Sequence, residues 1–279
     1  MDLSGRLERI YEVLHWPEDL GSPRGRERFE GAYRVFKEVV RHDWLKELVE
    51  GRTCVRVLDV CGGTGVGGLA LAKALKELGV EVALTVNDLR SSALEKARRY
   101  GKELLGLEVE TLLANALVLH EVGVRADMAL LYGFSTPHFS PYDMVKLVSS
   151  LAKVLEPRGV LLIEEADRTR TLLLMNNYRH VLTEYVGEGK VVMTLHAGYD
   201  PLKGVIKRVA IELPTMKVVE MDVRFWDIAS TASILWIFFS DVDFISTDGA
   251  GRGVLIAKEP RGVDPKGFSE YPRVLRSTT

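Results

Sequence analysis

The chain has 279 residues, of which 47% are hydrophobic and 27% are charged, and its formal net charge is −2. This length and balance are typical of a folded globular protein, and they exclude a disordered chain, a collagen-like fibre and a small disulfide scaffold. The nearly neutral charge disfavours nucleic acid as a partner, because phosphate binding normally requires a basic excess.

The cysteines and the apolar segments indicate where in the cell the protein is located. Only Cys54 and Cys61 occur, and a strand carrying both would hold them too far apart for a disulfide. Residues 1–10 are charged and lack the apolar core of a signal peptide, and the apolar run 234–239 is too short to cross a bilayer. We therefore predict a cytoplasmic protein with no membrane partner. The absence of glutamine, with many charged residues, resembles a thermophile's composition.

The sequence predicts helices in the first 50 residues. Apolar residues recur at helical spacing from Leu3 to Leu14. A segment rich in glycine, proline and arginine, residues 21–25, separates them from a second predicted helix over residues 27–49. We expect residues 1–50 to form a helical lid.

From residue 54 onwards, strands alternate with helices. The predicted strands cover residues 54–60, 80–86, 109–113, 127–132 and 160–163. The predicted helices between them cover residues 69–78, 91–105 and 142–155. This alternation predicts an α/β, doubly wound fold with a parallel sheet covered on both faces.

The pattern changes again after the fifth strand, where residues 166–226 predict an insertion. The expected elements are a helix over 169–185, an antiparallel meander over 190–195, 205–213 and 218–225, and a helix over 228–239. Residues 244–247 and 253–257 flank Asp248-Gly-Ala-Gly251 and predict a closing hairpin. The main domain is expected to cover residues 51–260, followed by an irregular tail over 261–279.

A glycine-rich turn joins the first strand to the next helix: Val57-Leu-Asp-Val-Cys-Gly-Gly-Thr-Gly-Val-Gly-Gly68. Glycines let the backbone approach a ligand, and a helix N-terminus offers unpaired N–H groups. Gly63-x-Gly65-x-x-Gly68 matches the dinucleotide-binding pattern, with Asp88 20 residues further on. A nicotinamide-dependent oxidoreductase is therefore one alternative.

Asp59 distinguishes between ligands at this turn. A carboxylate at the end of the first strand would repel a pyrophosphate but attract a ligand with an ammonium group. The spacing Asp59-x-Cys61-x-Gly63-x-Gly65 resembles the first motif of class I S-adenosylmethionine-dependent methyltransferases. Cys61 stands where that family has its first glycine.

The resemblance extends over about residues 54–260. Val86-Asn-Asp-Leu89 resembles the family's second acidic site, which implies that Asp88 accepts hydrogen bonds from the ribose hydroxyls and that Leu89 covers the adenine. Asn115 and Ala116 follow the third strand, where the family often has an aspartate at the adenine amino group; Asn115 as a simple turn residue is the alternative. The family's fold implies a seven-stranded mixed sheet whose last strand is antiparallel.

The resemblance implies S-adenosylmethionine as the cofactor and no metal. The residues it places at the cofactor are Asp59, Cys61, Gly62, Gly63, Gly65, Asp88, Leu89, Asn115, Ala116 and Tyr132. Tyr33, on the second predicted helix, is a candidate for closing over the cofactor's carboxylate end, with core packing as the alternative.

The acceptor is expected at the carboxyl ends of the fourth and fifth strands. His138 is the candidate base or orienting residue there, because its ordinary pKa is near neutral, with packing of the loop as the alternative; Tyr132 is a second catalytic candidate. Tyr132 and Phe134 could wall the methyl pocket or could equally belong to the core. Glu165 and Asp167 could bind a cationic acceptor or could simply cap a helix.

Several signatures of other enzymes are absent from the sequence. No Asn/Asp-Pro-Pro-Tyr/Phe motif follows the fourth strand, and no cysteine–histidine cluster has metal-ligand spacing. We therefore predict a methyltransferase that acts on a small molecule. An RNA or protein methyltransferase and a non-catalytic cofactor-binding protein are further alternatives, and the sequence does not determine the oligomeric state.

Overall fold

A seven-stranded mixed sheet forms the centre of the protein. The computed structural model describes residues 3–247, 249 and 251–276. The strands of this sheet are β1 (Cys54–Val60), β2 (Glu81–Asp88), β3 (Glu110–Leu113), β4 (Ala126–Leu131), β5 (Leu155–Ala166), β10 (Phe239–Ser246) and β11 (Arg252–Pro260). Their order is β10-β11-β5-β4-β1-β2-β3, and only β11 runs against the others. The predicted fold class, with its antiparallel last strand, is confirmed.

Eight helices are assigned in the described part of the chain. They are α1 (Leu3–Leu14), α2 (Pro23–Val39), α3 (Asp43–Val49), α4 (Val66–Glu77), α5 (Ser91–Leu105), α6 (Pro141–Val154), α7 (Ile228–Phe238) and α8 (Arg273–Arg276). The helix predicted over 27–49 is two helices, because the chain turns at residues 40–42 and His42 Nδ1 accepts the Trp44 N–H to begin α3. None of the described helices is both long and apolar enough to span a bilayer.

The strands of the large sheet carry apolar side chains on both faces. Val57 packs on the face covered by α2, α4 and α5, while Leu58 packs on the face covered by α6 and α7. Successive strand residues alternate between faces, so Asp59 shares the face of Val57 and lies beneath α4. The alternation thus fixes where the acidic residue of the glycine turn points.

A second sheet of four antiparallel strands forms the predicted insertion. Its strands are β6 (Val181–Gly187), β7 (Lys190–Asp200), β8 (Val205–Leu213) and β9 (Lys217–Val223), paired in that order. Helix α1 packs on this sheet through Ile10 and Val13, so it bridges the insertion and the large sheet.

The helix predicted over residues 169–185 is wrong. The chain makes a short π-helical turn at Thr169–Met175 and then enters β6, which pairs with β7. Pairing with a neighbouring strand outweighed the local helical pattern. The closing hairpin is present as β10 and β11, although Asp248 and Ala250 of its predicted turn lie outside the described residues.

Asp127, at the start of β4, holds two arginines at the edge of the sheet opposite the glycine turn. Its carboxylate accepts hydrogen bonds from Arg52 Nη1 at 2.8 Å and from Arg56 Nε and Nη2 at 3.1 and 3.0 Å. Although burial opposes ionisation, the hydrogen bonds from Arg56 and Arg52 lower the pKa of Asp127 to about 2. The ionised carboxylate therefore stabilises the folded protein.

The variant Asp127→Asn should lower the free energy of unfolding by about 2 kcal/mol at pH 7, because it leaves two partly exposed arginines with a weaker, uncharged acceptor. Since the folded pKa is depressed, this difference should be complete above pH 4 and should shrink as the pH falls towards 2. Urea unfolding at pH 7 and pH 3 measures it. The control Glu156→Gln removes a more exposed partner of Arg56 and should cost less than about 1 kcal/mol; equal losses would contradict the assignment.

Candidate active site at the carboxyl ends of the strands

The glycine turn between β1 and α4 has an unusual backbone. Gly63 and Gly65 have φ of +56° and +81°, and Cys61 has φ of +52°. A non-glycine residue in this left-handed region costs roughly 1 kcal/mol, so Cys61 occupies a position with the conformation of a glycine. The turn is tied to the end of β2, because the Gly62 N–H donates to Asn87 O at 2.9 Å and the Gly63 N–H donates to Asp88 Oδ2 at 2.8 Å.

Asp59 lies behind this turn and is completely buried. Its Oδ2 accepts the Gly68 N–H at 2.8 Å, and its Oδ1 has no hydrogen-bond partner. Burial raises the pKa of Asp59 to about 7. The sequence predicted that this carboxylate faces the ligand, and the structure corrects that expectation, because Asp59 lies behind the turn and lines none of the three cavities described below.

A cavity of about 420 Å³, which we call the front cavity, lies beside the turn. It lies between α1 and the ends of β1, β2 and β3. Of the predicted cofactor residues, it is lined by Cys61, Asp88, Leu89, Asn115 and Ala116. Its size and its mixed polar and apolar walls suit a nucleoside.

Asp88 is 7% exposed and is held in place on both oxygens. Besides the Gly63 N–H, it accepts from the backbone N–H of Arg90 at 2.9 Å and from Arg90 Nε at 3.3 Å. Asn115 Oδ1 accepts the Leu117 N–H at 3.0 Å and so begins the 3₁₀ turn Ala116–Glu121. Asn115 is thus a turn residue that also lines the cavity.

Asn87 is a site residue that the sequence did not single out. Its Nδ2 donates to Leu112 O and Ala114 O, at 3.0 and 2.8 Å, and so ties β3 to β2. Its buried Oδ1 has no partner, and the residue lines the front cavity. A buried acceptor without a donor is costly, so this oxygen fits a ligand that donates a hydrogen bond.

A neck separates the front cavity from a narrow cleft over the glycine turn. Tyr11, Cys61, Arg90 and Ser135 line both spaces. Arg90 Nη1 and Nη2 donate to Glu18 at 2.7 and 2.9 Å, and the Tyr11 ring lies 3.7 Å from the guanidinium. The ion pair joins the end of β2 to the loop between α1 and α2, which we call the lid loop (residues 15–22).

The narrow cleft itself has a volume of only about 20 Å³, space for about one water molecule. The lid loop closes it, because Glu18 contacts Arg90 and the Thr64 hydroxyl donates to Glu18 O at 2.5 Å. Gly62, Gly63 and Tyr132, all predicted site residues, line it. A ligand larger than water therefore enters this cleft only when the lid loop moves outward.

Arg28, on α2, stands at the outer end of the narrow cleft. A Cβ atom at Gly133 would lie 2.4 Å from Arg28 Nη2, so glycine at that position makes room for the guanidinium. Burial lowers the pKa of Arg28. Among the described residues, no carboxylate lies within 4 Å of its nitrogens. Glu164 and Glu18 are close enough to act on its charge, but neither forms an ion pair with it, so the guanidinium can still pair with an anionic group of a ligand.

A third space, of about 500 Å³, lies beyond Arg28, and we call it the outer cavity. It is lined by the lid loop, by α2 and by the carboxyl ends of β4 and β5, and it shares Trp16, Arg28, Tyr132 and Gly133 with the narrow cleft. Phe134 is part of its wall. The three spaces thus form one series along the ends of the strands.

The two catalytic candidates lie in different parts of this series. Tyr132 is at the junction of the narrow cleft and the outer cavity. His138 lines the front cavity, with its ring 6.2 Å from that of Tyr11. Burial and the nearby Arg90 lower the pKa of His138 to about 4, so the ring is neutral at pH 7. His138 and Phe134, which were both predicted at the acceptor, line different cavities, because Phe134 is part of the wall of the outer cavity.

Two predicted acidic residues have structural partners. Glu165 is completely buried and accepts from Arg168 Nη1 at 2.7 Å and from the hydroxyls of Thr136 and Thr231, so it is not available to an acceptor. Asp167 Oδ1 accepts the Arg170 N–H at 2.7 Å and caps the π-helical turn, which was the stated alternative. Neither residue lines a cavity.

Glu164 takes the place at the outer cavity that was expected for Glu165. Its oxygens accept the Gly133 N–H at 2.9 Å and Arg252 Nη2 at 2.7 Å. Residues 160 and 162 of β5 face α2 and α4, so Glu164 shares their face and Glu165 points to the opposite one. The alternation along β5 was the signal that could have distinguished the two.

Tyr33 also requires correction. Its hydroxyl donates to Glu77 on α4, and the residue lines none of the three cavities. Arg28, on the same helix, occupies the place expected for it. Gly65 begins α4 without lining a cavity. The described residues contain no group of three histidine, cysteine, aspartate or glutamate side chains placed to hold a metal ion.

Comparison with known proteins agrees with this architecture. A family model described as a methyltransferase domain matches residues 57–159. These residues run from the first buried strand to the start of the fifth and contain the glycine turn, Asp88 and Asn115. No curated protein sequence gives a match.

Solved structures with the same fold cover nearly the whole chain. The protein PH0226 from Pyrococcus horikoshii OT3 has a TM-score of 0.60 at 18% identity, covering 90% of this chain and 98% of its own. A S-adenosylmethionine-dependent methyltransferase from Clostridium acetobutylicum ATCC 824 has a TM-score of 0.59 at 13% identity, covering 81% and 92%. CalS10, an amino pentose methyltransferase from Micromonospora echinaspora with S-adenosylmethionine bound, has a TM-score of 0.52 at 16% identity, covering 90% and 96%.

The chain thus has the Rossmann-like fold of these methyltransferases, and residues 57–159 within it match a methyltransferase-domain model. The match to the methyltransferase-domain model agrees with the S-adenosylmethionine-dependent methyltransferase predicted from the sequence. The residues present fit S-adenosylmethionine: Asn87 Oδ1 is a buried acceptor without a donor and its residue lines the front cavity, and Arg28 is a cation at the outer end of the narrow cleft. A Cβ atom at Gly67 would lie 2.7 Å from Tyr132 Cβ, so glycine there lets α4 approach the end of β4.

Proposed function

We propose that the protein transfers the methyl group of S-adenosylmethionine to a small molecule bound in the outer cavity. The observation that carries this proposal is the series of three spaces along the strand ends. The front cavity has the size of a nucleoside, the narrow cleft lies over the glycine turn, and the outer cavity of about 500 Å³ can enclose a small acceptor.

The front cavity is proposed to bind the adenosine part. Asp88 retains lone pairs towards the cavity and accepts from the ribose hydroxyls, while Leu89 and Ala116 contact the base. Asn87 Oδ1 gains a donor from the ligand. Asn115 is proposed to contact the base through its side-chain amide. One lone pair of its Oδ1 already accepts the Leu117 N–H, so the rest of the amide group is left for the ligand.

The narrow cleft is proposed to bind the amino-acid part. Arg28 pairs with the carboxylate of the ligand, and Asp59 attracts its ammonium group through the glycine turn. Because the cleft is closed by Glu18 and Arg90, we infer that the lid loop opens when the cofactor enters and closes over it again.

The cofactor supplies a methyl group on a positively charged sulfur, which is already activated for transfer. The chain's own residues position the acceptor and keep out water. Tyr132, at the junction of the narrow cleft and the outer cavity, orients the acceptor. The His138 ring is neutral above about pH 4, so it can form a hydrogen bond with a ligand in the front cavity.

Titration calorimetry with S-adenosylmethionine and with S-adenosylhomocysteine tests cofactor binding directly. A methyl-labelled cofactor, offered with metabolite, RNA and protein fractions, then tests the class of acceptor. Label in the metabolite fraction supports the proposal. Label in RNA or protein supports the alternative acceptors, and tight binding of a dinucleotide alone would support an oxidoreductase. Cytoplasmic location and thermophilic origin remain predictions from composition.

The variant Asp59→Asn should separate the effect of this buried carboxyl group on stability from its effect on cofactor binding. Since the folded pKa of Asp59 is raised from 3.8 to about 7, its contribution to stability is complete below pH 4 and is lost as the pH rises to about 7. Between about pH 4 and pH 7, the free energy of unfolding of the natural protein should fall by about 1–3 kcal/mol relative to that of the variant. Above about pH 7, the difference should stay constant. Urea unfolding between pH 4 and pH 8.5 measures this difference.

The same variant should bind S-adenosylmethionine several-fold more weakly at pH 8, because the negative charge behind the turn is gone. The control Glu81→Gln, a side chain that is 72% exposed at the start of β2, should change neither quantity appreciably. A variant that is less stable than the natural protein at pH 8 and binds the cofactor equally well would contradict the role proposed for Asp59.

A further inference from the structure

The walls of the outer cavity carry more positive than negative side chains. Arg24, Arg28 and Arg252 face Glu164 and Glu184 across the space. Arg252 Nη2 donates to Glu164 Oε1 at 2.7 Å, so that pair is balanced. Glu184 accepts a hydrogen bond from the Thr194 hydroxyl at 2.6 Å. Apart from that pair, the two arginines of α2 face the single carboxylate of Glu184.

Arg24 and Arg28 lie one helical turn apart on the same face of α2. In the described part of the chain, neither guanidinium has a carboxylate within 4 Å. Under the proposed function, Arg28 pairs with the carboxylate of the cofactor. Arg24, whose guanidinium lies 4.8 Å from the centre of the Tyr185 ring, then remains for a second anionic group.

The remaining walls are apolar and aromatic. Trp16 comes from the lid loop, Phe134 from the loop after β4, and Ala32 and Val35 from α2. Arg252 and Arg168 lie 4.6 and 5.1 Å from the centre of the Phe134 ring and hold it in place. These walls suit a flat or apolar body rather than a sugar with many hydroxyl groups.

We infer that the methyl acceptor is a small molecule with an aromatic or apolar body and an anionic oxygen group, either a carboxylate or a phosphate. Arg24 binds the anionic group, and the body lies between Trp16 and Phe134. This inference rests on the proposed function, because it takes Arg28 as occupied by the cofactor. It disfavours an acceptor whose recognised group is an ammonium.

Three probes with one phenylethyl body test the inference: 3-phenylpropionate, 2-phenylethylphosphonate and phenethylamine. Their affinities are measured by calorimetry in the presence of saturating S-adenosylhomocysteine. We expect at least one of the two anions to bind ten or more times as tightly as phenethylamine. The stronger of the two anions distinguishes a carboxylate acceptor from a phosphate acceptor.

The variant Arg24→Ala should weaken binding of the preferred anion about tenfold and leave S-adenosylhomocysteine binding unchanged. Arg34→Ala, an exposed arginine of the same helix that lines no cavity, is the matched control and should change neither. Equal or tighter binding of phenethylamine, no binding of either anion, or equal effects of the two variants would overturn the inference. If the natural protein did not bind S-adenosylhomocysteine, the proposed function would be overturned instead. The three probes would then be measured in the absence of S-adenosylhomocysteine.

Discussion

Replacing Asp88 with alanine is expected to weaken S-adenosylmethionine binding by about 10- to 100-fold, the effect of losing one or two hydrogen bonds to a charged acceptor. The carboxylate is almost completely buried and is oriented by the Gly63 N–H and by Arg90, so it meets a ribose without reorganising. Calorimetry on the folded variant measures the loss. Asp88→Asn, which keeps the shape, should give a smaller loss.

The control for this experiment is Asp222→Ala. Asp222 also lines the front cavity but is exposed on β9, and no hydrogen bond from the described residues orients its carboxylate. Its removal should change the affinity less than twofold. If both variants lost affinity equally, the effect would come from the overall charge of the cavity, and the proposed contact between Asp88 and the ribose would be wrong.

Arg28→Met is expected to weaken the binding of S-adenosylhomocysteine by about 10- to 100-fold, because a charge-assisted pair is lost in an enclosed site. Binding of 5′-methylthioadenosine should stay within about twofold of the natural protein. This second ligand contains the adenosine and the sulfur but lacks the amino-acid part, so it does not reach the guanidinium. The ratio of the two affinities, measured by calorimetry, isolates the contact between Arg28 and the carboxylate.

Arg34→Met is the matched control for Arg28→Met and should leave both affinities unchanged. Arg28 also donates to Pro17 O at 3.4 Å and lies 5.1 Å from the centre of the Trp16 ring, so it could instead act by holding the lid loop. In that case both ligands would lose affinity by the same factor. Equal losses would therefore reject a direct contact with the carboxylate.

The sequence predicted those parts of the site that lie within one short segment. Cys61, Asp88 and Ala116 each follow directly from a strand end, and the carboxyl ends of neighbouring parallel strands meet at one edge of a sheet. Spacing along the chain is enough to place such residues. It was also enough to predict the alternating strands and helices of residues 54–163, whereas the reversed last strand was implied by the family resemblance.

Residues that depend on distant contacts were missed. Glu18 and Arg90 are 72 positions apart, and nothing in either segment indicates that they form an ion pair. The sequence predicted Tyr33 at the cleft and did not indicate Arg28, because the rotation of α2 decides which side chain faces the cleft. Packing against α4 and the end of β4 fixes that rotation.

The sequence by itself determined the fold class, the glycine turn and the predicted residues that line the front cavity, because hydrophobic periodicity and turn residues act over a few positions. Only the tertiary structure decided that Asp59 lies behind the turn, that Glu164 rather than Glu165 faces the outer cavity, and that α1 and the lid loop cover the cleft. These outcomes depend on which side of a strand or helix is buried and on contacts between segments far apart in the chain, and the local pattern does not encode those contacts.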